Sequence, residues 1–157
     1  MLASIVFAAL LAVANAHFQL QFPQPRGAFS EDDEPNFCDG YDDPAKTRTF
    51  FPLSGGVVSL NSEHEKWAAV ISIASTENPT KFDDFKPATA VLQATGEGLF
   101  CLDFDLSKSN VTGLVDGQNA TLQIQFNGGD GNLFQARRPR LLYTLAAKTH
   151  CSAQMLS

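Results

Sequence analysis

The sequence predicts an all-β protein, an antiparallel β-sandwich built in one domain, and three observations support this. Short runs of residues alternate between apolar and polar side chains, as half-buried strands do. Turns rich in glycine, proline and asparagine separate these runs at the spacing typical of a sandwich. No stretch shows a convincing helical period or an internal repeat.

The alternating runs predict strands in the following order. Residues 17–22 form the first, and residues 57–60 form a short strand after a Gly-Gly turn. Residues 67–75 are the clearest strand, and residues 89–93, 99–106 and 120–126 follow. Residues 28–44 are predicted to be a loop, which Phe37 and Cys38 anchor to the core. The side chains expected to face the core share one parity in each strand: Phe18, Leu20 and Phe22; Trp67, Ala69, Ile71 and Ile73; Leu122, Ile124 and Phe126, with Gln123 and Gln125 outward.

The first 16 residues have the layout of a secretory signal peptide. Residues 5–14 are almost wholly apolar, and Ala14-Asn15-Ala16 is a small-x-small cleavage triplet. The apolar run is shorter than the roughly 20 residues that span a bilayer. We therefore expect a secreted protein that begins at His17 and retains no transmembrane helix.

Charge divides the remaining chain into an acidic domain, residues 17–135, and a basic tail, residues 136–157. The domain holds all 17 acidic residues against seven basic ones, whereas the tail has four basic residues and no acid. An acidic body repels phosphate backbones, so nucleic acid is not an expected partner. The tail is either a solvated extension or a segment of different origin. We expect a monomer.

The predicted N-terminal histidine can bind a metal ion with two atoms. Its free α-amine and its ring Nδ1 close one chelate ring, and a second histidine completes three nitrogen ligands, which suits copper among the divalent metals. His64, in a polar turn before the strand at Trp67, is the natural second imidazole. Asp130, held between glycines after a strand, is a candidate carboxylate ligand. Each has an ordinary alternative, because loop histidines and Asp-Gly hairpin turns are common without a metal.

Other chemistry finds less support in the sequence. There is no Gly-x-Ser-x-Gly elbow, no His-Glu-x-x-His pair and no phosphate-binding glycine loop. Three cysteines, Cys38, Cys101 and Cys151, are disulfide candidates in a secreted chain, and three cannot all pair internally. Asn110 and Asn119 begin N-glycosylation sequons.

Taken together and in order, these motifs resemble the fungal copper acquisition factor family, which is similar in fold to lytic polysaccharide monooxygenases. The resemblance covers roughly residues 17–135. The matching segments are His17-Phe18-Gln19-Leu20, Pro25-Arg26-Gly27, Asn36-Phe37-Cys38-Asp39-Gly40, Phe51-Pro52-Leu53-Ser54-Gly55-Gly56, Leu60-Asn61-Ser62-Glu63-His64, Gly96-Glu97-Gly98 with Phe100-Cys101, and Asp116-Gly117-Gln118-Asn119 through Gly128-Gly129-Asp130-Gly131.

The resemblance implies an immunoglobulin-like or fibronectin III-like sandwich that binds Cu(II) through His17, His64 and Asp130. It implies a role in copper acquisition and homeostasis at the cell surface without catalytic turnover, with a cell-surface copper transporter as a candidate partner. Two alternatives remain open. One is a copper-dependent lytic polysaccharide monooxygenase, and the other is a secreted structural cell-wall module in which His17 has no metal.

The chain departs from the family pattern after Gln135. Family members usually continue with a Gln-Cys strand and a Ser/Thr-rich tail, whereas Ala136 follows here. We therefore expect one disulfide partner to be missing. If Cys38 and Cys101 pair with different cysteines in the family, both would be unpaired in this chain. The basic tail also lacks the apolar segment of about 10–20 residues that signals a lipid anchor.

Overall fold

The computed structural model describes residues 17–43, 47–76 and 78–143 together with Cys151. The predicted signal peptide and most of the basic tail lie outside the described residues. Ten strands are described: β1 (Phe18–Phe22), β2 (Thr49–Pro52), β3 (Gly56–Ser62), β4 (Lys66–Ala74), β5 (Lys86–Pro87), β6 (Leu92–Thr95), β7 (Gly98–Phe104), β8 (Thr121–Asn127), β9 (Asn132–Arg137) and β10 (Pro139–Leu142).

The strands form two main antiparallel sheets. One sheet has the order β1-β3-β7. The other runs β5-β4-β8-β9, and β6 pairs with the same strand, β4, as β5 does. A parallel pair, β10 with β2, completes the fold. Between residues 17 and 143, the described helical segments are short 3₁₀ turns, at Phe37–Gly40, Phe82–Asp84 and Leu106–Lys108. The predicted all-β sandwich is confirmed.

The two main sheets enclose one apolar core. Phe18 of β1 stacks on Phe126 of β8 with ring centroids 4.7 Å apart, and Trp67 of β4 lies 5.2 Å from the same ring. The predicted inward parity of β4 and β8 is confirmed, because these side chains are almost fully buried: Trp67, Ala69, Ile71, Ile73, Leu122, Ile124 and Phe126. Burying large aromatic side chains of this kind dominates the stability of a small core.

The outer face of β8 differs from the prediction at one position. Gln125 is exposed as expected, but Gln123 is buried and its Nε2 lies 4.0 Å from Cys38 Sγ. The loop predicted over residues 28–44 covers this face of the sheet. Cys38 packs there in a second buried cluster with Ala74, Phe85 and Ala136, which confirms its predicted anchoring role.

The segment after Gln135 is part of the sheets as far as Leu142. β9 continues through Ala136 to Arg137, and β10 then pairs with β2. Arg137 and Arg138 are buried, and Arg137 donates hydrogen bonds to the carbonyls of Pro25 and Thr47. The interpretation of a solvated tail therefore fails for residues 136–142. In the parts of the chain that the structure describes, no helix has the length and apolar character needed to cross a bilayer.

Candidate metal site

His64 lies just beyond the end of β3, and its ring is packed into the fold. The Ser62 hydroxyl accepts a hydrogen bond from the His64 backbone N–H at 3.1 Å and fixes the turn. The ring lies against Phe126, with centroids 5.5 Å apart, and only 8% of the residue is exposed. Its Nε2 is buried without any hydrogen-bond partner. An unsatisfied buried nitrogen costs free energy, so this atom is suited to a ligand.

Asp130 lies opposite that nitrogen, in the turn between β8 and β9. Its Oδ1 is 3.8 Å from His64 Nε2, too far for a hydrogen bond, and its side chain is half exposed. Asn127 Oδ1 accepts a hydrogen bond from Gly129 N–H at 2.8 Å and holds the turn closed. A Cβ on Gly128 would overlap the His64 ring, so glycine is required at that position.

His17 directly precedes β1 and reaches the same end of the fold. Its carbonyl accepts a hydrogen bond from Glu63 N–H at 2.9 Å, so its backbone lies beside the residue that precedes His64. The His17 ring has its Nδ1 2.6 Å from Glu34 Oε2 and its Nε2 3.5 Å from Glu31 Oε2. Antiparallel pairing of β1 with β3 thus places the backbone of His17 beside Glu63, the residue that precedes His64.

Glu34 is a functional candidate that the sequence did not single out. It is completely buried, and its Oε1 accepts a hydrogen bond from Gln135 Nε2 at 3.2 Å. Gln135 is also buried: its Oε1 accepts from Leu20 N–H, and its Nε2 donates to the Phe18 carbonyl, both at 2.8 Å. Gln135 therefore links β1 to the carboxylate that contacts His17.

Burial is the largest influence on the Glu34 carboxyl and raises its pKa above the usual value. The hydrogen bond and charge of His17 oppose this rise, as do hydrogen bonds from Phe18 and Gln135. The neighbouring Asp39 is also buried, and burial together with the charges of Glu34 and Asp33 raises its pKa to about 7. Both carboxyl groups therefore take up a proton more readily than exposed ones, and Glu34 lies directly against the His17 ring.

The predicted ligands form two pairs in this structure, His17 with Glu34 and His64 with Asp130. Within the described ranges, no three His, Cys, Asp or Glu side chains converge closely enough to hold a metal ion. The donors nevertheless fit a cation, because one imidazole nitrogen is orphaned, a carboxylate faces it and the second imidazole is held by an acid. The His17 α-nitrogen becomes an amine only if the chain is cleaved after Ala16.

The cysteines separate into one pair and one thiol. Cys101 of β7 is bonded to Cys151, with Cα atoms 5.9 Å apart, so the expectation that Cys101 could be unpaired is wrong. The sequence could not select this pair, because the partners are 50 residues apart. Cys38 is free and buried, and burial raises its pKa to about 11, which keeps the thiol protonated and unreactive. Ala136, where the resemblance implies a cysteine, lies in the same buried cluster.

Comparison with known proteins identifies the family. The model of the BIM1-like copper acquisition factor domain matches residues 15–144. The chain belongs to this family. The chain is also similar to two proteins named copper acquisition factor BIM1 in Cryptococcus neoformans. It is 41% identical to the serotype A protein over 139 residues and 42% identical to the serotype D protein over 135 residues.

A third relative is an uncharacterized protein of Aspergillus fumigatus, 36% identical over 125 residues. The matches cover 83%, 80% and 76% of this chain, but only 62%, 60% and 50% of the relatives. The chain therefore spans about 60% of the length of the BIM1 proteins. The family match extends through β9 and β10, past the domain boundary predicted at Gln135.

Proposed function

We propose that this chain binds Cu(II) outside the cell and serves copper acquisition, with His17, His64 and Asp130 as ligands. The observation that carries the proposal is the buried, unpartnered Nε2 of His64 facing the Asp130 carboxylate. Two relatives named copper acquisition factor BIM1 support copper as the cargo. Nitrogen ligands with one carboxylate are a donor set that Cu(II) accepts well.

Cleavage after Ala16 completes the proposed site. It converts the His17 nitrogen from an amide into an amine next to the ring, so one residue supplies two nitrogens. Metal binding through Nδ1 would replace the hydrogen bond between this nitrogen and Glu34. Gln135 would still hold β1, which directly follows His17, and groups that position a ligand raise metal affinity.

The same ligand set favours storage or transfer of copper over oxygen chemistry. A carboxylate added to three nitrogens is a hard anionic ligand, which favours Cu(II) over Cu(I). Asp130 would also occupy a position where oxygen or a substrate approaches. We accordingly propose a protein without catalytic turnover. Production of oxidised oligosaccharides by the copper-loaded protein, lost in His64→Ala, would contradict this part of the proposal.

We further propose that the protein is secreted as a glycosylated monomer whose copper domain begins at His17. Asn110 lies exposed in the segment before β8, where a glycan has room. Asn119 is less accessible because it is half-buried, and the threonine of its sequon, Thr121, is fully buried in β8. Modification at Asn110 is therefore favoured over modification at Asn119.

A copper titration of three variants tests the ligand assignment. His64→Ala and Asp130→Asn should each weaken Cu(II) binding by at least about tenfold, or about 1.4 kcal/mol. Asp103→Asn is the matched control, because Asp103 is an exposed carboxylate on β7. Calorimetry of the protein beginning at His17 gives the affinities. Equal affinities in all variants would overturn the assignment.

A further inference from the structure

A cavity of about 780 Å³ opens beside β1, and two buried arginines line it. Arg26 follows the proline turn after β1, and Arg137 ends β9. Only 8% of Arg26 and 5% of Arg137 is exposed. Half of the remaining lining residues are polar, among them Gln21, Gln24 and Thr49, and the other half are apolar or glycine. A cavity with buried cations is unusual in a protein whose net charge is −6.

The hydrogen bonds of these two guanidinium groups leave three nitrogens unused. Arg26 Nη1 donates to the Tyr41 carbonyl at 2.7 Å. Arg137 donates from Nη1 to the Pro25 carbonyl and from Nη2 to the Thr47 carbonyl, both at 3.2 Å. Arg26 Nε and Nη2 and Arg137 Nε are buried without any acceptor. The acceptors of these three hydrogen bonds are backbone carbonyls, which are neutral and cannot balance the two positive charges.

The charges around the cavity do not compensate the arginines. Burial lowers the pKa of both guanidinium groups, and the charge of Arg48 lowers the pKa of Arg137 further. The negative charge of Asp42 raises the pKa of Arg26 in opposition to burial. In the described part of the chain, however, neither Arg26 nor Arg137 has a carboxylate within ion-pair distance. A buried cation without a counter-ion is costly, so an anionic partner would be stabilising.

We propose that this cavity binds a small oxyanion, a phosphate, sulfate or small carboxylate, through the free N–H groups of Arg26 and Arg137. A guanidinium group presents N–H donors in a planar fork that matches the oxygens of these anions. Hydrogen bonds to backbone carbonyls hold both guanidinium groups at the wall of the cavity. The proposal does not depend on the metal site, because neither arginine is one of the proposed ligands.

Nuclear magnetic resonance of the arginine Nε–H groups in the full chain tests this proposal. Inorganic phosphate, sulfate and malonate are titrated separately, with sodium chloride at matched ionic strength as the control. We expect saturable shifts of the Arg26 and Arg137 signals with at least one of the three anions, and the responding anion identifies the ligand chemistry. Shifts equal to those produced by chloride would overturn the proposal.

Thermal melting of two variants gives an independent readout. Arg137→Lys keeps the positive charge but removes the Nε–H donor, and Arg140→Lys makes the same change at an exposed position of β10. We expect the anion to raise the melting temperature of the wild type and Arg140→Lys, and to lose this effect in Arg137→Lys. Equal responses of both variants would contradict the proposal. If Arg137→Lys does not fold, the wild-type resonance titration decides.

Discussion

Replacing Asp39 with asparagine should change how the stability of the protein depends on pH. Asp39 is buried, and burial with the neighbouring charges of Glu34 and Asp33 raises its pKa from 3.8 to about 7. Between these two values the folded state binds a proton that the unfolded state releases. Stability therefore falls as pH rises through this window, and the full cost is present above about pH 7.

The magnitude follows from the size of the shift. A change of about three units corresponds to about 4 kcal/mol of unfolding free energy at 1.36 kcal/mol per unit. Asparagine removes the titration and tolerates the positive φ of 60° found at this position. The stability of Asp39→Asn relative to the wild type should thus rise by up to about 4 kcal/mol between pH 4 and pH 8.

Urea unfolding at pH 4, 5, 6, 7 and 8 measures this difference. The single tryptophan, Trp67, is buried in the core and reports the transition by fluorescence. Asp103→Asn serves as the control, because it makes the same substitution at an exposed carboxylate of β7. Parallel stability curves for the wild type and Asp39→Asn would refute the reasoning.

Two further predictions concern the ligand turn and the disulfide. Gly128→Ala should weaken copper binding by about tenfold, because the new Cβ displaces the His64 ring, whereas Gly129→Ala should cost about 1 kcal/mol of stability and leave affinity unchanged. Equal affinity in both variants, measured by calorimetry, would contradict this. Cys151→Ser should lower the unfolding free energy by about 4 kcal/mol, since its bond to Cys101 closes a loop of about 50 residues. The difference in unfolding free energy between wild type and Cys151→Ser should vanish when both proteins are unfolded in reductant. A difference that persists there would contradict the Cys101–Cys151 disulfide.

The sequence predicted the sandwich and the side chains of its central strands that face the core, because both follow from local sequence patterns. Trp67, Ala69 and Ile71 alternate with a period of two, and that period directly reports which side chains face the core. The same reasoning placed His64 and Asp130 in turns next to strands. The structure brings these two within 3.8 Å of each other, although they are 66 residues apart in the chain.

The remaining features depend on contacts that local pattern does not contain. Glu34 is buried although it lies in a loop whose sequence shows no regular alternation of apolar and polar residues. The Glu34 carbonyl accepts a hydrogen bond from the Phe134 backbone N–H at 2.7 Å, which fixes the loop against β9. The burial of Arg137 depends likewise on the distant Thr47 carbonyl. A basic run usually indicates a solvated surface, which is why a solvated extension was one of the two interpretations left open for this segment.

Electron paramagnetic resonance of two proteins that differ by one N-terminal residue tests the central proposal most directly. One protein begins at His17, and the other carries a single alanine before it. The first should give an axial Cu(II) spectrum with nitrogen couplings at one equivalent of copper, and the second should lose that spectrum, because its His17 nitrogen is an amide. The same spectrum and the same affinity in both proteins would contradict a site built on the His17 amine.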